Sequence, residues 1–216
     1  MILSRGRNYL FLHAPKTGGT ALSLALENRA MKDDILLGDT PKAVRRRGRV
    51  KGVNSAGRLW KHSMLTDLYG LITPEEVDKL FIFTLVRNPW DRMVSYYHWL
   101  QSQMFDHPAV ELAKSLDFAD FVAHPQTLAA MRFAPYGRYV RDREGRERCN
   151  LFLRLEQVDA DLAALEEHLG FRIGPLQRIN ASQRDRDYRG YYDNATRALV
   201  AEVCADDISR FEYSFD

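Results

Sequence analysis

The spacing of apolar residues changes period along the chain, and the changes mark out its elements. Residues 9–13, Tyr-Leu-Phe-Leu-His, are a brief apolar run that stops at a glycine turn, which reads as a buried strand. Apolar positions at helical spacing follow over 20–31. The strongest strand is 80–86, Leu-Phe-Ile-Phe-Thr-Leu-Val, apolar on both faces like a central parallel strand with helices above and below it. Asn88-Pro89 breaks that run. Residues 91–103 then read as a helix with proline near its start and Asp91 in its first turn. Further helices are expected at 64–71, after the start signal Thr73-Pro74-Glu75-Glu76, at 118–124, at 158–169 with Gly170 as the stop, and across 194–211. Residues 137–141 and 148–155 flank Asp142-Arg143-Glu144-Gly145-Arg146, which reads as a hairpin turn. Residues 32–63 are polar, basic and without period, so a long loop is expected there.

Strands alternating with helices predict an α/β fold with a central, mainly parallel sheet flanked by helices. The chain has 216 residues, 45% of them hydrophobic, enough for one domain spanning 1–216 with a substantial core. A net charge of +2 argues against a polycation that coats nucleic acid. Charge is concentrated locally instead, with six basic residues between Lys42 and Lys51. The sequence has no apolar run of about 18 residues and no signal-peptide pattern, so a soluble, cytoplasmic protein without a transmembrane segment is expected. Cys149 and Cys204 are too few for a disulfide framework and match no zinc or redox spacing. No His/Cys/Asp/Glu cluster stands at metal-ligand spacing, so no metal is expected.

Chemistry enters at the first strand's end, His13-Ala-Pro-Lys16-Thr17-Gly18-Gly19-Thr20-Ala21. Glycines let a backbone approach an anion closely, and successive N–H groups at a helix start form a positive nest that Lys16 reinforces. The strand, glycine turn and helix make the domain P-loop-like. It is not a Walker A loop, because there the lysine follows the glycines and here it precedes them. A second candidate anion site lies at the end of the central strand, in Val86-Arg87-Asn88-Pro89-Trp90-Asp91-Arg92-Met93-Val94-Ser95. Arg87 sits at the edge where open α/β sheets bind ligands, and a guanidinium fork with a serine hydroxyl suits a phosphate monoester. Asp91 reads as a helix-start residue.

Together, Pro-Lys-Thr-Gly-Gly-Thr and Val-Arg-Asn-Pro-Trp-Asp-Arg-Met-Val-Ser resemble the two signature elements of sulfotransferases that use 3′-phosphoadenosine 5′-phosphosulfate (PAPS). The closer likeness is to the carbohydrate O-sulfotransferases of the family 2 type, bacterial members included. Lys61-His62-Ser63, Leu153-Arg154-Leu155-Glu156, and Asn180-Ala181-Ser182 with Tyr188 and Tyr191-Tyr192-Asp193 are supporting matches. The resemblance implies that Lys16, Thr17, Gly18, Gly19, Thr20 and Ala21 wrap the 5′-phosphosulfate, that Arg87 and Ser95 hold the 3′-phosphate, and that Ser182 and Arg184 close over the nucleotide. The product would be adenosine 3′,5′-bisphosphate, and the acceptor a hydroxyl, expected on a saccharide that is anionic if the 42–51 segment meets it.

Sulfuryl transfer needs charge stabilisation on the leaving phosphate, alignment of the reacting atoms and removal of the acceptor proton. Lys16 suits the first task. The third calls for a histidine or a tuned carboxylate. Of the six histidines, His62 is the expected base because it matches the family's Lys-His position; Glu27 and Glu156 are the fallback carboxylates. His13 reads as packing beneath the turn, and His98, one turn beyond Ser95, is near the second site. Two other classes stay open on the residues alone: a P-loop-like nucleotide kinase or phosphotransferase, which would need a magnesium carboxylate that is hard to find here, and a non-catalytic nucleotide- or polyanion-binding module.

Overall fold

The computed structural model describes residues 1–176 and 184–216. The chain packs as two compact units, Met1–Val86 with Tyr136–Ile179 and Arg87–Pro135 with Asn180–Asp216, each with its own apolar core.

The first unit is built on a five-stranded sheet in the order β3-β1-β2-β4-β5. Strands β2 (Tyr9–Leu12), β4 (Phe81–Val86) and β5 (Leu151–Arg154) run parallel, while β1 (Ile2–Ser4) and β3 (Ile35–Leu36) add an antiparallel edge. The apolar run of β4 is explained by its place: strands flank it on both sides, and every residue from Ile82 to Val86 is buried. Phe11 lies opposite Phe83 with ring centroids 5.3 Å apart, and Leu85 lies opposite Leu153. Against this layer pack Leu22 and Leu26 of helix α1 (Gly19–Glu27), and Leu162, Leu165 and Leu169 of α9 (Val158–Leu169). Those i, i+4 and i, i+3, i+7 spacings give each helix one buried stripe. The expected α/β class is the one observed.

Several expected elements differ. Helix α1 ends at Glu27 rather than near 31, and Met31 lies at the surface. The expected loop at 32–63 holds β3, helix α2 (Pro41–Arg46) and a 3-10 turn, Arg47–Val50. Thr40 caps α2 by accepting from the Ala43 N–H at 3.2 Å, and its hydroxyl donates to both Glu27 carboxylate oxygens at 2.7 and 2.8 Å. Basic residues here hold carbonyls: Lys42 that of Glu27, Arg46 that of Met31 and Arg49 that of Asp34. The helix expected at 64–71 is a 3-10 turn, Leu65–Leu68, tied by the Asp67 carboxylate to the Met64 N–H and stopped before Gly70 at φ 99°. Helix α3 (Pro74–Val77) follows the expected start signal, where Thr73 and Glu76 form a capping box.

The 142–146 turn forms around the Asp142 carboxylate, which accepts from the Glu144 and Arg146 N–H groups. The turn closes an antiparallel bridge between Arg141 and Glu147, with the Arg148 N–H donated to the Val140 carbonyl at 3.0 Å, but its flanks do not continue as two paired strands. Tyr136–Tyr139 is helix α8, and β5 pairs in parallel with β4, where Leu153 is fully buried.

The second unit is helical. Its centre is α4 (Pro89–Gln101), capped by Asn88, whose side-chain oxygen accepts from the Trp90 N–H and whose amide donates to the Ser214 carbonyl at 2.8 Å. Helices α5 (Pro108–Ser115), α6 (Phe118–Ala123) and α7 (Pro125–Phe133) follow. His107 and His124 are N-caps before prolines, their Nδ1 atoms accepting from Ala109 and Gln126. The single C-terminal helix expected at 194–211 breaks at Cys204 into α10 (Asn194–Val203) and α11 (Ala205–Phe211). No helix among the described residues is long and apolar enough to cross a membrane.

Candidate functional site

The turn after β2 is shaped by its backbone. Lys16 has φ 65° and Gly18 φ 79°, both in the left-handed region, so the chain alternates hand immediately before α1. That alternation turns successive N–H groups to one side, the backbone form from which anion-binding concavities are built. No side chain caps the start of α1, whose dipole adds positive potential there. Thr17 is fully buried and its hydroxyl donates to the Ala14 carbonyl at 2.8 Å, so its side chain braces the turn rather than facing a ligand. The Ala21 N–H is donated to the Gly18 carbonyl at 3.0 Å.

The glycines are required by what surrounds them. A Cβ on Gly18 would lie 2.7 Å from a Leu155 methyl, and one on Gly19 would lie 2.2 Å from the His13 ring. Leu155 thus places the end of β5 under the cradle, a role its sequence neighbourhood alone does not reveal. Arg154, beside it, is held by Asp161 through its Nε and Nη2 at 3.1 and 3.0 Å.

His13 connects the cradle to His62. Its ring stacks on Phe11, lies against Gly19, and meets the His62 ring edge-on with centroids 4.6 Å apart. Its carbonyl lies 2.7 Å from His62 Nδ1. A carbonyl only accepts, so neutral His62 carries its proton on Nδ1 and leaves Nε2 unprotonated. Burial lowers the His62 pKa to about 4, against the opposing pull of the His13 carbonyl. Burial, with His62 nearby, holds His13 well below the usual histidine range. Both rings are therefore neutral near pH 7.

The turn bearing His62 is stapled. The Ser63 hydroxyl donates to the carbonyls of Arg58 (2.8 Å) and Trp60 (3.0 Å) and accepts from the Trp60 N–H (2.9 Å). The Trp60 indole stands perpendicular to His62 at 5.0 Å and carries the Arg58 guanidinium over its ring. Of the fallback carboxylates, Glu27 accepts the Thr40 hydroxyl, and burial raises its pKa.

In the second unit, Asp91, Ser95 and His98 recur at i, i+4 and i+7 on α4 and share one face. Arg87, the residue after β4, directs Nε and Nη2 to Asp91 Oδ2 at 2.9 and 2.7 Å, and Arg184 reaches Asp91 Oδ1. Two of the expected nucleotide-binding residues, Arg87 and Arg184, are thus gathered by one carboxylate. The role of Asp91 goes beyond that of a helix-start residue; the signal was its i, i+4 spacing from Arg87. Ser95 is buried nearby on the helix. Ser182 lies outside the described residues. Among the described residues, no group of three or more His, Cys, Asp or Glu side chains is placed to hold a metal ion.

No protein-family model matches the chain, and no curated protein does. Among solved structures, the crystal structure of a mouse sulfotransferase complexed with PAP is similar at 16% identity and a TM-score of 0.44, over 94% of this chain and 84% of that one.

Proposed function

We propose that the protein transfers a sulfuryl group from PAPS to a hydroxyl, most favourably on a carbohydrate or glycoconjugate. The observation that carries this reading is the left-handed Lys16-Thr17-Gly18 turn at an uncapped helix start, joined through His13 to a histidine with its tautomer fixed. The motif resemblance supplies the donor. The backbone of Lys16 to Thr20, with Ala21 closing the turn, would hold the phosphosulfate. Arg87 and Ser95, with Ser182 and Arg184, would hold the rest of the nucleotide.

In the transfer, the bond from sulfur to the bridging oxygen breaks as a bond from sulfur to the acceptor oxygen forms. The Lys16 ammonium offsets the charge growing on the leaving phosphate. His62 Nε2 takes the acceptor proton, which becomes more acidic as its oxygen bonds sulfur. Adenosine 3′,5′-bisphosphate leaves. No metal is assigned to the step.

Transfer of labelled sulfate from PAPS to a panel of saccharides, with magnesium and ATP as a separate arm, tests the reading. Lys16→Ala is expected to abolish turnover. His62→Ala is expected to lose about 10²-fold or more in kcat while keeping nucleotide affinity. Phosphoryl transfer from ATP, or tight nucleotide binding with no sulfate transfer to any acceptor, would overturn it.

A further inference from the structure

Three buried side-chain atoms among the described residues have no hydrogen-bond partner: Ser4 Oγ, Asp34 Oδ1 and His98 Nε2. Such atoms are rare in folded proteins and are usually met by water or a ligand. His98 is distinguished from the other two by its setting. It follows Asp91 and Ser95 on the same face of α4, and that face gathers the guanidinium groups of Arg87 and Arg184. Both guanidinium groups are held by the Asp91 carboxylate, and the charge of Arg184 acts on the His98 imidazole.

We propose that His98 is a ligand-binding residue of this anion site, its Nε2 hydrogen-bonding the phosphate monoester that Arg87 and Ser95 hold. The assignment rests on the reading of that site as the place of the nucleotide's 3′-phosphate. Tyr97 and Tyr191 fix the imidazole edge-on, at 5.4 and 5.2 Å between centroids. The Tyr191 hydroxyl accepts from the Asp185 N–H, so the ring is braced by the same stretch that carries Arg184. Burial and the Arg184 charge lower the His98 pKa. A phosphate would relieve the second effect and supply the missing partner. A hydrogen bond to a charged group is worth a tenfold change in affinity or more, about the size that separates a ligand residue from a bystander.

Calorimetric titration with adenosine 3′,5′-bisphosphate and with adenosine 5′-monophosphate tests this on the parent chain, His98→Leu, His98→Gln and Arg87→Ala. His98→Leu is expected to bind the bisphosphate about tenfold more weakly with the monophosphate affinity unchanged. His98→Gln, whose amide can replace Nε2, is expected to restore most of it. Equal loss for both nucleotides, or no loss for either, would overturn the assignment and leave His98 a packing residue. If the parent shows no preference for the bisphosphate, the reading of the whole site falls with it. If Arg87→Ala abolishes the preference while His98→Leu retains it, only the assignment of His98 falls.

Discussion

Gly18 and Gly19 exclude a side chain for different reasons. At Gly18 the backbone is left-handed and Leu155 occupies the Cβ position; at Gly19 the obstacle is the His13 ring alone. Gly19→Ala is therefore expected to cost about 1–3 kcal/mol through overpacking, read as a lower urea midpoint, and to push His13 toward His62. Gly18→Ala combined with Leu155→Ala removes the clash and keeps the φ strain, so its rescue should be partial. His62 gives a pH dependence of defined sign. Its folded pKa of about 4 lies below the ordinary value of 6.5, so the unfolded chain binds the proton more tightly. Its contribution to stability is full above pH 6.5 and is lost as pH falls toward 4, on the order of 3 kcal/mol at most. His13, lowered in the same direction, adds to the same slope. Denaturant midpoints between pH 4 and 8 should fall less steeply for His62→Gln than for the parent; equal slopes would mean that His62 is not the group titrating.

Helix α2 shows how an element escapes a sequence pattern. It is only six residues long, and its basic side chains resemble a solvated run until Lys42 and Arg46 are seen holding carbonyls. Thr40 does two things there, capping α2 and satisfying Glu27. Thr40→Ala should cost about 1–2 kcal/mol in chemical denaturation, with Thr40→Ser near the parent. The central strand and the glycine turn were legible because burial on both faces and positive φ leave unambiguous residue choices. Helix α9 was legible because its apolar stripe and Gly170 agree. The direction of β5 was not, since a nearby polar turn makes a hairpin the local solution, and pairing with β4 is a long-range gain. The same holds within the candidate site. The cradle is local and could be read, whereas the Ser63 staple, the Leu155 support and the Arg184–Asp91 pair join residues whose proximity only the fold creates.

Over the whole molecule, a net charge of +2 hides an uneven surface. Of the six basic residues from Lys42 to Lys51, Lys42, Arg46 and Arg49 hold carbonyls, while Arg45, Arg47 and Lys51 are exposed. Replacing Arg45, Arg47 and Lys51 by Gln should raise KM for an acidic saccharide several-fold at low salt, leave KM for PAPS unchanged, and lose its effect at high ionic strength. An unchanged acceptor KM would separate this surface from acceptor binding. Lys16 sets a different constraint on the chain as a whole, because its side chain and its backbone make opposite demands. The φ of 65° favours glycine, and the proposed chemistry favours lysine. Lys16→Gly should therefore outlast Lys16→Ala by about 1 kcal/mol in denaturant although neither turns over. Selection for thermal robustness alone would replace this lysine, so on the proposed chemistry its presence trades durability for turnover.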